Sequence, residues 1–314
     1  MVLLTIDELQ GEKAKEIGRI AGKEVYLLRG NREIPFEEIE IIVTYGLQED
    51  WELIDFDKLT NLKWIQVFQT GIEQVPIKEI EKRNIRLTNV RNIYGKPMSE
   101  YVMSLVLYEI REIERFIQNK KLKRYDRKEL VDEAKNKTIG IFGTGSIGKE
   151  VAKKAQAFDM NVLGFNSNGR SVEYFDQTFS WNQKDYMIQQ CDFLVLLLPL
   201  IDETYHFFAE KEFSIMKDNA YVINIGRGPL IKEEALLKAL ETNIIKGAAL
   251  DVFYEEPLPE SSPLWTADKL FITPHLSGKT KYFFDRSIAI FKENYQLYRK
   301  NKSMKFEIDF ARGY

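Results

Sequence analysis

The sequence predicts an α/β protein built on parallel sheets. Short apolar runs rich in β-branched residues alternate with amphipathic helical patterns, as expected for parallel strands joined by crossover helices. The length of 314 residues is sufficient for two domains of ordinary size. A glycine-rich turn separates one strand from one helix near the middle of the chain. Together these observations indicate two α/β domains.

The first hundred residues contain four candidate strands with charge-rich helical connections. These strands are Val25–Leu28, Ile39–Val43, Trp64–Phe68 and Ile85–Val90. One long helix is then expected from Pro97 to about Asn119, because proline suits the first turn of a helix. Residues 101–108 are apolar on nearly every side. Such a helix is predicted to be buried on several faces, as between two domains or against a partner subunit.

A second series of strands fills the middle of the chain. Its members are Thr138–Phe142, Asn161–Phe165, Phe193–Leu198, Tyr221–Ile225, Gly247–Val252 and a short run from Phe271 that stops at Pro274. Helices are expected at 146–158 and 281–300. The tail from residue 303 is expected to be extended at first and then irregular.

Composition limits the function classes. Hydrophobic residues make up 44% and charged residues 30% of the chain, and the net charge is −3, so disorder and nucleic-acid binding are not expected. The basic stretch at 119–128 is interpreted as a solvated helix end. No apolar run approaches the ~20 residues that cross a bilayer, and the first residues are unlike a signal peptide. The sequence thus predicts a cytoplasmic protein that has no membrane partner and no metal site. The single cysteine, Cys191, excludes a disulfide framework within the chain and is expected to be a buried structural thiol.

The strongest single motif is the glycine turn after the strand that ends at Phe142. Gly143, Gly145 and Gly148 have the G-x-G-x-x-G spacing, which allows a tight turn, close approach to a pyrophosphate and close packing of helix on strand. The backbone N–H groups that open the next helix, at Ser146 and Ile147, would face the phosphates. Because a strand precedes the motif and a helix and a second strand follow it, we interpret it as a dinucleotide site.

The residues after the next strand bear on which dinucleotide is used. Asn166 stands where an Asp or Glu usually accepts a hydrogen bond from the adenosine ribose. Ser167, Asn168 and Arg170 follow it, and a site with a guanidinium and no carboxylate suits a 2′-phosphate. The sequence therefore favours NADP(H) over NAD(H). In the alternative interpretation, Arg170 is only a solvated loop residue.

Three further strands end in polar residues. Arg227 lies between two glycines, Glu255 and Glu256 precede a proline, and His275 follows Pro274. Ligands of open α/β sheets bind beyond the carboxyl ends of the strands, so these residues are functional candidates. The second histidine, His206, is expected to pack or cap a helix.

The combination of these segments resembles the D-isomer-specific 2-hydroxyacid dehydrogenase family. The matching segments are the glycine motif, Leu198-Pro199-Leu200 with Glu203-Thr204, Asn224–Pro229, Ala249–Phe253 with Glu256-Pro257, and Thr273–His275 with Ser277-Gly278. They extend over most of 138–278. The first hundred residues match weakly, through residues 70–73 and the Glu100 region, and Glu73 stands where the family usually has Asp.

The resemblance implies a role for each residue. Arg227 would bind the carboxylate and polarise the keto group of a 2-oxo acid, His275 would carry the proton, and Glu256 would orient His275 and stabilise its protonated form. Further cofactor contacts are expected at Leu198, Pro199, Thr204, Ile225, Gly226, Asp251 and Gly278, with Asp251 at the nicotinamide carboxamide. Backbone amides of Thr70 and Gly71 could hold the substrate carboxylate.

The resemblance also implies the architecture and the reaction. A Rossmann-type doubly wound parallel sheet (96–288) would be inserted into a smaller flavodoxin-like substrate domain (1–95 plus 289–314), and the protein would be a homodimer. We expect an oxidoreductase that moves a hydride between NADP(H) or NAD(H) and a small 2-oxo or D-2-hydroxy acid, as in glyoxylate or hydroxypyruvate reduction. The alternative is a non-catalytic dinucleotide sensor similar to corepressors of this fold; a methyltransferase would have no use for the three strand-end motifs.

Overall fold

A computed structural model describes residues 1–310 of the chain. Two compact units are present: Met1–Ile93 together with the described residues from Lys281 on, and Tyr94–Thr280. The boundaries expected from the sequence were 95/96 and 288/289. No helix of the described residues is both long and apolar enough to cross a membrane.

The first unit is built on a five-stranded parallel sheet. Its elements up to residue 93 are β1 (Val2–Leu4), α1 (Glu12–Ala21), β2 (Val25–Leu27), β3 (Ile41–Thr44), α2 (Gln48–Glu52), β4 (Trp64–Val67), α3 (Ile77–Lys82) and β5 (Arg86–Thr88). The strand order β2-β1-β3-β4-β5 is that of flavodoxin-like folds. The predicted smaller α/β domain is therefore confirmed in its fold class.

The second unit is built on a seven-stranded parallel sheet. Its elements are α4 (Gly95–Ile110), α5 (Ile113–Lys121), β6 (Thr138–Phe142), α6 (Ser146–Gln156), β7 (Asn161–Phe165), β8 (Gln177–Phe179), α7 (Lys184–Gln190), β9 (Phe193–Leu196), α8 (Glu210–Ser214), β10 (Tyr221–Asn224), α9 (Glu233–Glu241), β11 (Gly247–Leu250) and β12 (Leu270–Ile272). A last helix, α10 (Phe283–Arg299), belongs to the first unit.

The strand order β12-β11-β10-β9-β6-β7-β8 confirms the doubly wound sheet. The chain moves outward from β6 in one direction through β7 and β8, then returns to the other side of β6 and continues from β9 to β12. The switch point therefore lies between β6 and β9. Dinucleotides bind at this point in folds of this kind, and the glycine turn follows β6 directly.

The prediction of one long helix from Pro97 to Asn119 is wrong. The first helix ends at Ile110, and Glu112 adopts a left-handed backbone conformation with φ of 49°. A residue in that conformation cannot continue an α-helix. The two helices also differ in burial: α4 is buried along most of its length, whereas α5 has no buried residue.

Two short strands of three residues each, β1 and β8, were not predicted from the sequence. Runs this short carry too little periodicity to be recognised without their partners. The lone Cys191 is buried as predicted, and burial raises the pKa of its thiol. The end of the tail, which is predicted to be irregular, includes residues 311–314, which lie outside the described residues.

Candidate active site

The candidate residues of the second unit lie after the carboxyl ends of strands of one parallel sheet. The glycine turn follows β6, Arg227 follows β10, and His275 follows β12. Since β9, β10, β11 and β12 are adjacent and parallel, their carboxyl ends meet at one edge of the sheet. The sheet therefore collects at one edge groups that are far apart in the sequence.

The glycine turn is shaped to receive a phosphate. Gly143 has φ of 117°, and a Cβ there would lie 2.9 Å from the carbonyl oxygen of Leu197. A Cβ on Gly148 would lie 2.0 Å from the carbonyl oxygen of Gly143, so helix α6 packs directly on the turn. By contrast, a Cβ on Gly145 would meet nothing within 4 Å, and Gly145 caps α6 without a side-chain hydrogen bond. The first N–H groups of α6, at Ser146 and Ile147, are thus available to an anion. These residues fit a dinucleotide phosphate.

Asn166 is turned inward rather than toward a ligand. The residue is 7% exposed, and its amide donates to Thr144 Oγ1 at 3.2 Å and to the Arg170 carbonyl at 2.9 Å. Its Oδ1 accepts from the N–H of Asn168 at 3.3 Å. Asn166 therefore organises the loop, and the exposed residues that can meet a ligand are Ser167, Asn168 and Arg170.

The loop after β9 is likewise held by one side chain. Thr204 is buried, and its hydroxyl is 2.6 Å from the Pro199 carbonyl and accepts from the N–H of Ile201 at 2.9 Å. This hydroxyl fixes the bend that follows Leu198 and Pro199, both partly exposed. In the structure Thr204 holds the shape of the loop. Its expected contact with the cofactor stays a prediction.

Arg227 is held by its backbone while its side chain stays exposed. The buried Asn224 amide donates to the Arg227 carbonyl at 2.9 Å, and the N–H of Gly226 donates to Asn224 Oδ1 at 3.1 Å. The guanidinium donates only to the Gly226 carbonyl, at 2.8 Å. Among residues 1–310 no carboxylate lies within ion-pair distance of Arg227. An exposed guanidinium with most of its five donors unused can take a carboxylate ligand.

His275 and Glu256 form the second half of the site. Glu256 Oε2 lies 2.7 Å from Nδ1 of His275, and Glu256 Oε1 accepts from the N–H of Phe253 at 3.0 Å. Because the carboxylate accepts, Nδ1 of His275 carries a proton and Nε2 is left as the nitrogen that can exchange one. The His275 side chain is 52% exposed, which leaves it accessible to a ligand.

Asp251 holds the loop that carries His275. The residue is fully buried, and its carboxylate accepts from the Thr273 hydroxyl at 2.5 Å and from the N–H groups of Leu276 and Ser277 at 2.8 and 2.9 Å. Its carbonyl accepts from the N–H of His275 at 2.8 Å. This role is not apparent from the sequence, because the bonds join residues that follow two different strands. The expected contact of Asp251 with a nicotinamide stays a prediction.

Four further predicted contacts are Ile225, Gly278, Thr70 and Gly71. Ile225 is buried beside the Arg227 loop, and a Cβ on Gly278 would lie 2.9 Å from the ring of Tyr94. In the first unit, the hydroxyl of Thr70 donates to the Val90 carbonyl at 3.0 Å. The N–H groups of Thr70 and Gly71 donate no hydrogen bond within the described part of the chain. The Glu73 carboxylate lies close by, since a Cβ on Gly71 would be 2.3 Å from Glu73 Oε2. Anion binding by these N–H groups stays a prediction.

The ring of the second histidine, His206, is engaged with two tyrosines. The His206 ring is hydrogen-bonded to the Tyr254 hydroxyl and stacks on Tyr205, with ring centroids 4.1 Å apart. These contacts agree with the packing role expected from the sequence. His275 is thus the histidine at the strand-end site.

Glu256→Gln is expected to lower kcat by about 10- to 100-fold, because a hydrogen bond to a charged group contributes about 1.5–3 kcal/mol and the amide cannot support a protonated imidazole equally well. The dinucleotide Kd should stay within about 2-fold of the wild type, since the glycine turn is untouched. Steady-state kinetics and a fluorescence titration measure the two quantities. Glu255→Gln is the matched control and should keep full activity. Equal losses in both variants would mean that Glu256 has no special role.

A glycine turn that fits a phosphate, with an exposed arginine and a carboxylate–histidine pair at the same edge of the sheet, is the arrangement of a dinucleotide-dependent oxidoreductase. The sequence profile described as "D-isomer specific 2-hydroxyacid dehydrogenase, NAD binding domain" matches residues 103–277. The chain belongs to the D-isomer specific 2-hydroxyacid dehydrogenase family, and it is an NAD(P)-dependent 2-hydroxyacid dehydrogenase.

Relatives and solved structures agree with this assignment. The chain is 34% identical over 230 residues to a glyoxylate reductase of Thermofilum pendens, covering 71% of this chain and 68% of the relative. It is similar to a D-isomer specific 2-hydroxyacid dehydrogenase family protein of Aeromonas salmonicida, with 31% identity, a TM-score of 0.83 and 98% of each chain covered. An NADPH-dependent glyoxylate/hydroxypyruvate reductase of Sinorhizobium meliloti, solved with NADP and sulfate, has 25% identity and a TM-score of 0.79, with 100% of this chain and 99% of that chain covered.

Proposed function

We propose that the protein reduces a small 2-oxo acid of the glyoxylate or hydroxypyruvate type to the 2-hydroxy acid, in the D configuration where the product is chiral, with NADP(H) preferred over NAD(H). The proposal rests on the Glu256–His275 pair, in which Glu256 Oε2 lies 2.7 Å from His275 Nδ1. Arg227, which has no ion-pair partner among the described residues, lies at the same edge of the sheet. The names of the Thermofilum and Sinorhizobium relatives support the substrate class. The cytoplasmic location stays a prediction.

The residues divide the work of the reduction. The dinucleotide, when bound, supplies the hydride for the keto carbon. Arg227 pairs with the substrate carboxylate and donates to the keto oxygen, which draws electron density from the carbon and stabilises the charge that develops on the oxygen. His275 gives the proton on Nε2 to that oxygen, while Glu256 keeps Nδ1 protonated and the ring oriented. In the oxidation direction Nε2 takes the proton back.

The preference for NADP(H) is supported by the loop after β7. The position that usually carries an acidic residue is held by Asn166, whose side chain faces inward, and the exposed Arg170 can pair with a 2′-phosphate. Two solved structures similar to this chain, from Rhizobium etli and Sinorhizobium meliloti, were obtained with NADP.

Arg170→Ala is therefore expected to weaken NADPH binding by about 10-fold or more, as an exposed charge-assisted hydrogen bond to phosphate is lost. The Kd of NADH should be nearly unchanged, because NADH has no 2′-phosphate. Fluorescence titration of both cofactors measures the effect, with Lys153→Ala on α6 as a control for a general loss of positive charge. Equal weakening for NADPH and NADH would remove Arg170 from the specificity argument.

The homodimer is supported by the apolar surface of α5. Ile113, Phe116 and Ile117 are 39%, 42% and 40% exposed, and Leu122 follows at 58%. A cluster of this kind on one helix is a common mark of a protein interface. Sedimentation at micromolar concentration is expected to give a dimer for the wild type and a monomer for Phe116→Glu; a wild-type monomer would contradict the proposal.

The substrate class is tested by a panel of 2-oxo acids run with NADPH and with NADH, followed by the absorbance of the reduced cofactor. Turnover of glyoxylate or hydroxypyruvate with NADPH is expected. The panel should also contain branched and aromatic 2-oxo acids, so that a wider side-chain pocket is detected. The comparisons lend no support to the alternative of a non-catalytic sensor, which would require NADPH binding without turnover of any member.

A further inference from the structure

Tyr101 on helix α4 forms a hydrogen bond with the segment that leads to His275. The Tyr101 hydroxyl lies 2.6 Å from Oγ1 of Thr273, two residues before His275. Burial raises the pKa of Tyr101 to about 12. The phenol therefore stays protonated across the neutral range and keeps its hydrogen for a hydrogen bond.

The direction of the hydrogen bonds follows from the donor inventory. The Thr273 hydroxyl has a single hydrogen, and it donates this to Asp251 Oδ1 at 2.5 Å, because a carboxylate oxygen accepts. Only lone pairs of Oγ1 remain for Tyr101. The phenol must then be the donor, which gives an ordered chain from Tyr101 through Thr273 to Asp251.

Asp251, the last residue in this series of hydrogen bonds, holds the backbone on both sides of His275. Asp251 accepts from the N–H groups of Leu276 and Ser277 and, through its carbonyl, from the N–H of His275 itself. His275 has φ of 53°, a left-handed conformation that non-glycine residues seldom adopt and that persists only where neighbours hold it. The orientation of the imidazole thus depends on a network whose outermost member is on α4.

We propose that Tyr101 is a positioning residue for His275. Its hydroxyl orients Thr273, Thr273 orients the Asp251 carboxylate, and Asp251 holds the turn that presents the imidazole. The phenol does not contact the reacting atoms. The kinetic part of this inference rests on the proposed function, in which His275 is the proton donor.

Tyr101→Phe removes one hydroxyl from a ring that can keep its place. We expect kcat to fall by about 5- to 10-fold, because a small displacement of a proton donor lowers the rate of the chemical step. The KM for the 2-oxo acid and the dinucleotide Kd should stay within about 2-fold of the wild type, because Arg227 and the glycine turn are unaffected. Tyr108→Phe is the matched control: it removes a tyrosine hydroxyl from the same helix, bonded at 2.6 Å to Glu114, and should leave kcat unchanged.

Substitutions of Thr273 test whether the hydrogen bonds from Tyr101 through Thr273 to Asp251 act together. Thr273→Val should lower kcat at least as much as Tyr101→Phe, and Thr273→Ser should retain most of the activity because the hydroxyl is kept. In the Thr273→Val background, Tyr101→Phe should change kcat by less than about 2-fold, since its acceptor is already gone. Equal effects of Tyr101→Phe in both backgrounds, or unchanged kcat in folded Tyr101→Phe, would overturn the proposal.

A readout that needs no turnover separates this inference from the proposed reaction. The chain has two histidines, so the imidazole Cε1–H signals in an NMR spectrum can be assigned with a His206→Gln variant. Tyr101→Phe should shift or broaden the His275 signal and leave that of His206 in place, while Tyr108→Phe changes neither. An unchanged His275 signal in Tyr101→Phe contradicts the proposal even if the enzyme is active. A shifted signal supports it even if no 2-oxo acid turns over.

Discussion

Replacing His275 with alanine is expected to lower kcat by about 10²- to 10⁴-fold, the usual contribution of a positioned acid–base group. The keto oxygen then has no proton donor, because the only other histidine, His206, is engaged with Tyr254 and Tyr205. The dinucleotide Kd should be unchanged, since the glycine turn is built from β6 and α6. Steady-state kinetics with the best 2-oxo acid and a fluorescence titration of NADPH provide both numbers.

His206→Ala is the matched control for this variant. It removes the second imidazole of the chain and should leave kcat within about 3-fold of the wild type, because the ring only packs. If His275→Ala kept more than a tenth of the wild-type turnover, another group would be the proton donor and the assigned mechanism would be wrong.

Arg227→Ala is expected to raise the KM of the 2-oxo acid by about 10- to 100-fold and to lower kcat by about 10²- to 10³-fold. The first effect arises because the substrate carboxylate loses its counter-charge. The second arises because the keto oxygen loses a donor where negative charge develops in the transition state. Both constants are measured over a wide range of substrate concentration.

Arg227→Lys separates charge from geometry. Lysine keeps the positive charge but lacks the planar fork of donors, so KM should recover more than kcat does. A variant Arg227→Ala with raised KM and unchanged kcat would show that the arginine binds the substrate without assisting the reaction.

Local sequence patterns were sufficient to predict the class of both sheets. Strands β6 and β10 are apolar runs with β-branched residues that turn residues follow, and the glycine turn joins β6 to α6 as its spacing predicts. The break at Glu112 was missed because the apolar pattern continues on both sides of it. Its left-handed backbone conformation is a tertiary property that helical periodicity does not report.

The site residues, whose roles stay predictions, were predictable as candidates because each lies a few residues after a strand. The contacts that hold them were not, because they join distant parts of the chain: Asp251 to Ser277 spans two strands, and Tyr101 to Thr273 joins a helix to a loop. The inward turn of Asn166 is a similar case. Its position marked the cofactor loop, but only the fold shows that its amide is used by Thr144 and Arg170.

The most direct test of the proposed reduction of a 2-oxo acid to a D-2-hydroxy acid is the configuration of the product. Hydroxypyruvate is incubated with NADPH and the wild-type protein, and the glycerate is resolved by chiral chromatography. D-glycerate is expected as the only enantiomer, formed in equal amount to the NADPH consumed, and with His275→Ala it should form at least about 100-fold more slowly. L-glycerate, a racemic product, or no product under conditions where NADPH binds would contradict it.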